Sequence, residues 1–219
     1  MTRIKRKTTP ILLCILIFAI IISSLIILFT KKLSNDVFSI SNIGFEDVIT
    51  CIGYSSPIGT FFWILWDNCI WKIPIIQRIT KVPNLSGSWV GTYKRTSSTS
   101  DGNNHDYNID IYQTYSRISC HTYQERGSSS GSLCELYTKT NDNIVGIAFF
   151  WECNPTPPDL PFYGYSYMDY CGELDVSNRT SKLEGTYFTN KNPVQSKGVI
   201  VVHFRSRKHA KRYIINQRK

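Results

Sequence analysis

The chain has 219 residues and a formal net charge of +9, and that charge is divided unevenly along it. Residues 1–83 carry nine Lys and Arg against four Asp and Glu, residues 84–204 carry nine against twelve, and residues 205–219 carry seven against none. Because the body is slightly acidic, the composition argues against a protein that grips long nucleic acid over a broad basic face. The length leaves room for one domain with a membrane anchor, but not for a second domain.

The first predicted element is a transmembrane helix at residues 11–29, which follows a basic N-terminus at 1–10. The run from Ile11 to Phe29 contains no charged residue, and it is long enough to cross a hydrocarbon core of about 30 Å. The alternative is a cleaved signal peptide, but its apolar stretch is usually only about 7–15 residues long and ends in small residues. Here Lys31 and Lys32 close the run, which favours a retained helix.

A second transmembrane helix is predicted at residues 48–70, after a connector at 30–47. The stretch from Val48 to Trp66 carries no charge, and Gly53, Ser55, Ser56 and Gly59 are small residues of the kind that let membrane helices approach closely. The tryptophans at its end are typical of an interfacial aromatic belt; they are Trp63, Trp66 and Trp71. A buried or interfacial helix remains the alternative, since Pro57 interrupts the segment.

Orientation follows from the basic residues at the ends of the two helices. Both the stretch before the first helix and the stretch after the second are basic, so the positive-inside rule places the N-terminus and the domain after residue 83 in the cytosol. The cysteines of that domain should then be reduced, whereas two disulfides would require an exported domain. These cysteines are Cys120, Cys134, Cys153 and Cys171, and no pair has Cys-x-x-Cys spacing.

From Leu85 onward, short aromatic and β-branched stretches alternate with Gly, Ser, Asn and Pro clusters, which predicts strands. The eight predicted strands are Ser86–Thr96, Asp106–Gln113, Tyr115–Glu125, Ser130–Thr140, Ile144–Glu152, Tyr165–Val176, Ser181–Thr189 and Lys197–Ser206. No connection between them is long enough for a crossover helix, so neighbouring strands should pair antiparallel. Such a series forms either an up-and-down barrel or a sandwich.

The first strand favours the barrel. Strand alternation places Gly87, Trp89, Gly91 and Tyr93 on one face, and Gly-x-Trp in a first strand resembles the lipocalin signature, in which the Trp closes one end of the barrel. Arg205 on the last strand is predicted to stack on that Trp. The expected fold class is therefore an all-β domain at 84–206, an eight-stranded antiparallel, up-and-down, lipocalin-like barrel, preceded by two transmembrane α-helices. A basic tail at 207–219 would face anionic lipid or solvent.

Two membrane helices, a basic N-terminus and the segment 83–93, which reads Pro-Asn-Leu-Ser-Gly-Ser-Trp-Val-Gly-Thr-Tyr, occur together. This combination resembles the two-transmembrane β-barrel effectors of bacterial CBASS antiphage systems. The resemblance implies a multi-pass protein of the bacterial inner membrane that senses but does not catalyse. A partner nucleotidyltransferase would supply a cyclic dinucleotide, the barrel would bind it, and a homo-oligomer would disrupt the inner membrane and cause abortive infection.

A cyclic dinucleotide offers two flat bases and two phosphates, so a receptor needs aromatic faces with a few cations or hydroxyls. The β-domain is rich in aromatic residues, whereas its cations are few and separate, which suits a small dianion better than a polymer. Strand alternation, together with this chemistry, predicts a set of pocket-lining residues. They are Tyr93, Arg117, Tyr123, Trp151, Tyr167 and Tyr187. For Trp89 and Arg205 a structural role is favoured over a ligand role.

Three other functions are weighed against the receptor. A membrane-tethered lipocalin-like carrier of a small apolar ligand would have an interior without a cation, and a structural module would have a filled barrel that binds nothing. An enzyme is disfavoured because the sequence lacks the common nucleophile, phosphate-loop and zinc motifs. Its histidines, His105, His121, His203 and His209, are also far apart. No catalytic residue, metal ligand or cofactor is therefore predicted.

Overall fold

The structure is a computed structural model that describes residues 2–3, 8–33, 45–96, 103–124, 127–138, 145–155, 162–172, 181–190 and 195–208. It divides into two compact units: a helical unit, Arg6–Trp71, and a second unit formed by Met1–Lys5 with Lys72–Lys219. Most of the predicted connector at 30–47 and of the basic tail at 207–219 lies outside the described residues.

The helical unit contains two long helices, α1 (Thr8–Leu33) and α2 (Phe45–Asn68). The stretches Pro10–Phe29, inside α1, and Val48–Lys72, which begins in α2 and continues past its end, are long and apolar enough to cross a membrane. The two predicted helices of membrane-spanning length are therefore confirmed. Pro57 lies inside α2, where a membrane helix tolerates it better than a soluble one because neighbouring groups can satisfy the freed carbonyl.

Small and polar side chains form the contact between α1 and α2. The Ser55 hydroxyl donates to the Ser23 hydroxyl over 3.1 Å, and a Cβ at Gly59 would lie 3.7 Å from the Ala19 Cβ. A Cβ at Gly53, by contrast, would meet nothing within 4 Å. Of the predicted small residues, Ser55 and Gly59 therefore face α1 of the same chain, as small residues at close helix contacts commonly do.

A 3₁₀ turn (Ile70–Lys72) leads into a short helix, α3 (Pro74–Thr80), where no element was predicted. Proline at the first position suits a helix start, since its missing N–H has no partner there anyway. The helix ends at Lys81, which takes the left-handed conformation with φ 55° and donates its N–H to the Gln77 carbonyl over 2.7 Å. The Gln77 side chain donates to the Lys72 carbonyl over 2.6 Å and so holds the helix against the turn.

Eight strands follow, each antiparallel to the next. They are β1 (Gly87–Arg95), β2 (Asn104–Gln113), β3 (Ile118–Gln124), β4 (Gly127–Thr138), β5 (Val145–Pro155), β6 (Phe162–Cys171), β7 (Lys182–Thr189) and β8 (Lys197–Ser206). Strand β8 pairs back with β1, and the predicted antiparallel eight-stranded barrel is confirmed. It is nearly closed: β3 meets only the first part of β4, and Thr2 and Arg3 pair with the remaining part, at Thr138 and Tyr137.

Several strand boundaries differ from the prediction by three residues or more, among them those of β4 and β6. Strand β4 begins at Gly127 instead of Ser130, because β3 supplies a partner for a Gly- and Ser-rich stretch that resembles a turn. Its Gly131 lies opposite Trp151. Strand β6 begins at Phe162 and ends at Cys171, earlier than the predicted Tyr165–Val176.

The barrel is closed at the end where the chain reaches it. Trp89 is fully buried, its ring lies 5.4 Å from that of Phe204, and its indole N–H donates to the Leu85 carbonyl over 3.0 Å. The segment 82–86 crosses this end and is held by the Gln113 side chain, which accepts from the Leu85 N–H over 2.7 Å and donates to the Pro83 carbonyl over 3.0 Å.

Arg207, and not the predicted Arg205, is the cation at this closed end. Its guanidinium lies 5.2 Å from the centre of the Phe204 ring and donates to the carbonyls of Asn84 and Ser86. Arg205 is exposed on the outer face of β8, so its predicted stacking on Trp89 is wrong. The physical reason is alternation: Phe204 points inward to Trp89, and its neighbour must point outward.

Candidate ligand site at the mouth of the barrel

Aromatic rings from three strands meet inside the opposite end of the barrel, which we call the mouth. The Tyr93 ring on β1 lies 6.1 Å from Tyr107 on β2 and 5.7 Å from Tyr187 on β7, both edge to face. His105 stacks on Tyr93 at 5.0 Å, with the ring planes 25° apart. The structure therefore brings together the predicted Tyr93 and Tyr187, and it adds Tyr107 and His105.

Glycine makes room for these rings. Gly198 lies between Arg95 and Tyr187 in the sheet, and a Cβ there would come within 2.5 Å of the Tyr187 ring. Any larger residue at 198 would push the phenol out of its position. The position of the Tyr187 ring in the mouth thus depends on glycine at 198.

Trp151 also points into the barrel, as predicted. It is buried, and its indole N–H donates to the hydroxyl of Ser166 over 2.9 Å. A Cβ at Gly164 would clash with the six-membered part of the indole. The inward residues of β6 are therefore small where they face Trp151, because an eight-stranded barrel has room for only a few large side chains.

The hydroxyl of Tyr187 is buried and makes no hydrogen bond of good geometry with the described residues, although Arg95 and Ser196 lie close enough to interact with it. Burial raises the pKa of Tyr187 to about 12; the neighbouring Tyr93 acts in the same direction, and Arg95 and Ser196 act against it. A buried hydroxyl left without a partner costs about 1–3 kcal/mol. The Tyr187 hydroxyl is therefore protonated at neutral pH and is available to donate to a ligand.

Arg95 is the cation of the mouth. It continues the inward series of Trp89, Gly91 and Tyr93 on β1, pairs across the sheet with Gly198, and is half-buried. The sequence analysis missed Arg95, although the alternation that assigned Tyr93 inward extends to it. Its charge lies next to an unsatisfied phenol and three aromatic rings, an arrangement suited to a ligand with flat bases and phosphate groups.

The buried titratable groups inside the barrel hold their protons more tightly than they would in water. Burial raises the pKa of the Cys120 thiol, and the neighbouring Cys134 adds to the effect, so the reactive thiolate is disfavoured. Burial likewise raises the pKa of Tyr107. None of the seven cysteines forms a disulfide, and the described residues include no group of three or more His, Cys, Asp or Glu that could hold a metal ion.

Three predicted pocket residues lie elsewhere, and their placement is corrected. Arg117 is exposed in the turn between β2 and β3, at the closed end. Tyr123 pairs with Asn108 on the outer face, where burial and then Asp110 raise its pKa. Tyr167 is also on the outer face, with its ring 6.4 Å from Tyr137. These three residues therefore do not line the mouth.

The reason for the misplacement of Tyr167 is the limited volume inside the barrel. Alternation correctly grouped Tyr167 with Tyr163 and Tyr165, but it does not say which face is inside. Because Trp151 and Tyr187 already occupy the interior beside β6, the smaller series turns inward instead. That series includes Gly164, Ser166 and Met168.

The chain matches the family of the Cap15 cyclic dinucleotide receptor domain over residues 80–203. The chain belongs to this family. The match covers more than half of the chain and includes the strands that carry Tyr93, Trp151 and Tyr187. No curated protein matches the chain.

Membership of the Cap15 receptor-domain family confirms the resemblance to CBASS effectors that the sequence predicted. The family is one of cyclic dinucleotide receptors and is not an enzyme family. Cyclic dinucleotide is therefore the ligand class of this barrel, and the two apolar helices agree with the architecture of a Cap15-like effector.

Proposed function

We propose that the chain is a membrane-anchored sensor-effector whose barrel binds a cyclic dinucleotide at the mouth. The observation that carries this proposal is the combination of Arg95 with the unsatisfied hydroxyl of Tyr187, beside the stacked rings of Tyr93 and His105. Phosphate is bound by Arg95 and the Tyr187 hydroxyl, and the bases stack on exposed aromatic faces. The apolar interior below closes the site.

This arrangement distinguishes the receptor from an apolar carrier. A lipocalin-like binder of a small apolar ligand would have an interior without a cation, but Arg95 lies at the mouth and faces inward. Burying a cation against an apolar ligand would leave it without a partner, which is costly. The same residue is favourable in a site for a dianion.

After binding, the membrane helices of several copies assemble, disrupt the bacterial inner membrane and cause abortive infection. A partner nucleotidyltransferase makes the ligand. The barrel lies in the cytosol with the N-terminus, because two spans put both ends on one side of the bilayer and the positive-inside rule makes that side the cytosol. The pairing of Thr2 and Arg3 with β4 supports this topology, because it needs the N-terminus and the barrel on the same side of the bilayer.

The test is binding of a panel of cyclic dinucleotides to the full chain in lipid nanodiscs, measured by calorimetry. We expect saturable binding that Arg95→Gln weakens at least tenfold, because a charge-assisted contact to phosphate is lost. Arg117→Gln is the matched control and should bind as the unchanged chain does, since Arg117 lies at the other end of the barrel. A folded protein that binds no member of the panel would overturn the proposal. An equal loss of affinity in both variants would mean that the mouth is not the binding site.

A further inference from the structure

Four aromatic side chains are exposed together on the outer wall of the barrel, and we call them the outer patch. They are Phe150, Tyr163, Tyr165 and Phe188, with 39%, 43%, 41% and 49% of their surface exposed. They belong to three consecutive strands, β5, β6 and β7. Scattered exposed apolar residues are normal on a soluble surface, whereas a contiguous group indicates an interaction site.

The sheet register makes this group contiguous. Phe150 is the partner of Tyr165, and Tyr165 is the partner of Phe188, so the three rings lie in one row across the strands. Tyr163 stacks on Phe150 at 5.8 Å with an interplanar angle of 16°. Leu133, which is 70% exposed, is the partner of Phe150 on β4 and extends the row.

The outer patch has the size of the apolar centre of a protein interface. An aromatic side chain has about 150–250 Å² of surface, so the exposed fractions leave roughly 350 Å² of aromatic surface on the four residues. A standard interface buries about 800 Å² per partner, with an aromatic and apolar centre inside a polar rim. The remaining buried area would come from the polar residues of the rim.

Charges at the two sides of the outer patch are complementary to each other. Glu152 is exposed beside Tyr163 on one side, and Lys197 is exposed beside Phe188 on the other. In a two-fold contact the same surface is used by both partners, which brings Lys197 of each copy toward Glu152 of the other. The outer patch is therefore self-complementary in charge as well as apolar at its centre.

A lipid surface fits the outer patch less well than a second copy. Residues 84–204 carry twelve acidic against nine basic residues, which does not favour an anionic bilayer. A second copy, although its residues 84–204 are equally acidic overall, offers the complementary charges of Lys197 and Glu152 at the two sides of the outer patch.

We propose that the outer patch is the contact through which the barrels of two copies of this chain associate. This inference locates the contact used when several copies assemble, and it rests on the assembly step of the proposed function. Phe188 directly follows Tyr187, and Phe150 directly precedes Trp151. Any shift of these strands on ligand binding therefore moves mouth and outer patch together.

The experiment measures the oligomeric state of the full chain in detergent by analytical ultracentrifugation, with and without the cyclic dinucleotide that binds best. Lys197→Glu and Glu152→Lys should each weaken association at least fivefold, because each places like charges across the two-fold contact. The double variant, Lys197→Glu with Glu152→Lys, should restore it. Lys94→Glu, on the outer face of β1, is the matched charge control and should have no effect.

Ligand binding is measured in the same variants and should be unchanged, which separates this inference from the receptor function. Association that survives both single reversals and Tyr165→Glu would overturn the inference, as would a chain that binds ligand but stays monomeric. If the chain binds no cyclic dinucleotide, the inference is tested on the self-association of the ligand-free chain. A chain that stays monomeric at a protein concentration roughly 100 times that used in the binding experiment would also overturn the inference. Photocrosslinking from position 165 to lipid, instead of to a second copy, would identify the bilayer as the occupant and also overturn it.

Discussion

At the residue scale, the mouth of the barrel contains a buried hydroxyl, that of Tyr187, without a well-formed hydrogen bond to the described residues in the free protein. Proteins bond the great majority of such groups. Arg95 and Ser196 are near enough to affect its pKa. We interpret this unsatisfied group as one reserved for the ligand, at some expense in the stability of the free barrel.

Replacing Tyr187 by Phe tests that interpretation. Tyr187→Phe should raise the free energy of unfolding of the ligand-free chain by about 1 kcal/mol, because a buried unpaired hydroxyl is removed. The same change should weaken cyclic dinucleotide binding several-fold. Denaturant unfolding and calorimetry measure the two effects, and a loss of stability with unchanged binding would contradict the interpretation.

The control for Tyr187→Phe is Tyr123→Phe, which removes a hydroxyl from the outer face of β3 and should leave binding unchanged. A second readout is pH. The folded pKa of about 12 lies above the ordinary value of 10, so the folded state holds the proton more tightly, and the stability due to this difference is present below pH 10 and lost between pH 10 and 12. The Tyr187→Phe variant should therefore lose less stability over that interval than the unchanged chain.

At the element scale, α3 presents an apolar face to its surroundings. Ile75 and Ile79, four residues apart on one side of the helix, are 68% and 75% exposed, while Gln77 on the other side is buried. Arg78 lies beside the exposed isoleucines. A short helix that follows a membrane-length helix and exposes isoleucine next to a cation is typical of the lipid–water interface.

We expect α3 to contact lipid. The photoreactive amino acid p-benzoylphenylalanine, introduced at Ile79 of the full chain in nanodiscs, should form phospholipid adducts detectable by mass spectrometry. The same group introduced at Thr92, on the outer wall of β1, is the control and should give adducts at least fivefold less often. Equal labelling at the two positions would place α3 in water.

At the scale of the whole molecule, the pairing of Thr2 and Arg3 with β4 links the N-terminus to the domain that follows both membrane helices. A chain with two spans can make this contact only if both ends are on one side of the bilayer. From the basic residues before α1 and the positive-inside rule, we expect that side to be the cytosol. The cysteines of the barrel then report on topology.

Cys171 is the suitable reporter because it is exposed, whereas Cys120 and Cys153 are buried. In intact spheroplasts, a membrane-impermeant maleimide should leave Cys171 unmodified, and lysis should increase its labelling at least tenfold. Peptide mass spectrometry locates the modified cysteine, and the Cys171→Ser variant, which lacks this thiol, is the control. Full labelling before lysis would mean that the barrel is exported and that the cytosolic topology is wrong.

The sequence by itself determined the elements whose patterns are local. Uncharged runs specify helices of membrane-spanning length because each residue must be compatible with hydrocarbon, and short stretches with turn-forming separators specify eight antiparallel strands. The alternation that begins at Trp89 also placed Tyr93 inward. For these features, neighbours in sequence supply all the information needed.

Only the tertiary structure decided which face of each later strand is inside, because alternation defines two faces without choosing between them. On β6 the choice depended on Trp151, a residue of another strand, which leaves space inside only for the small side chain of Gly164. The position of Arg207 at the closed end and the row formed by Phe150, Tyr165 and Phe188 likewise depend on register between strands distant in sequence. Volume and register are properties of the closed barrel, and no single strand contains them.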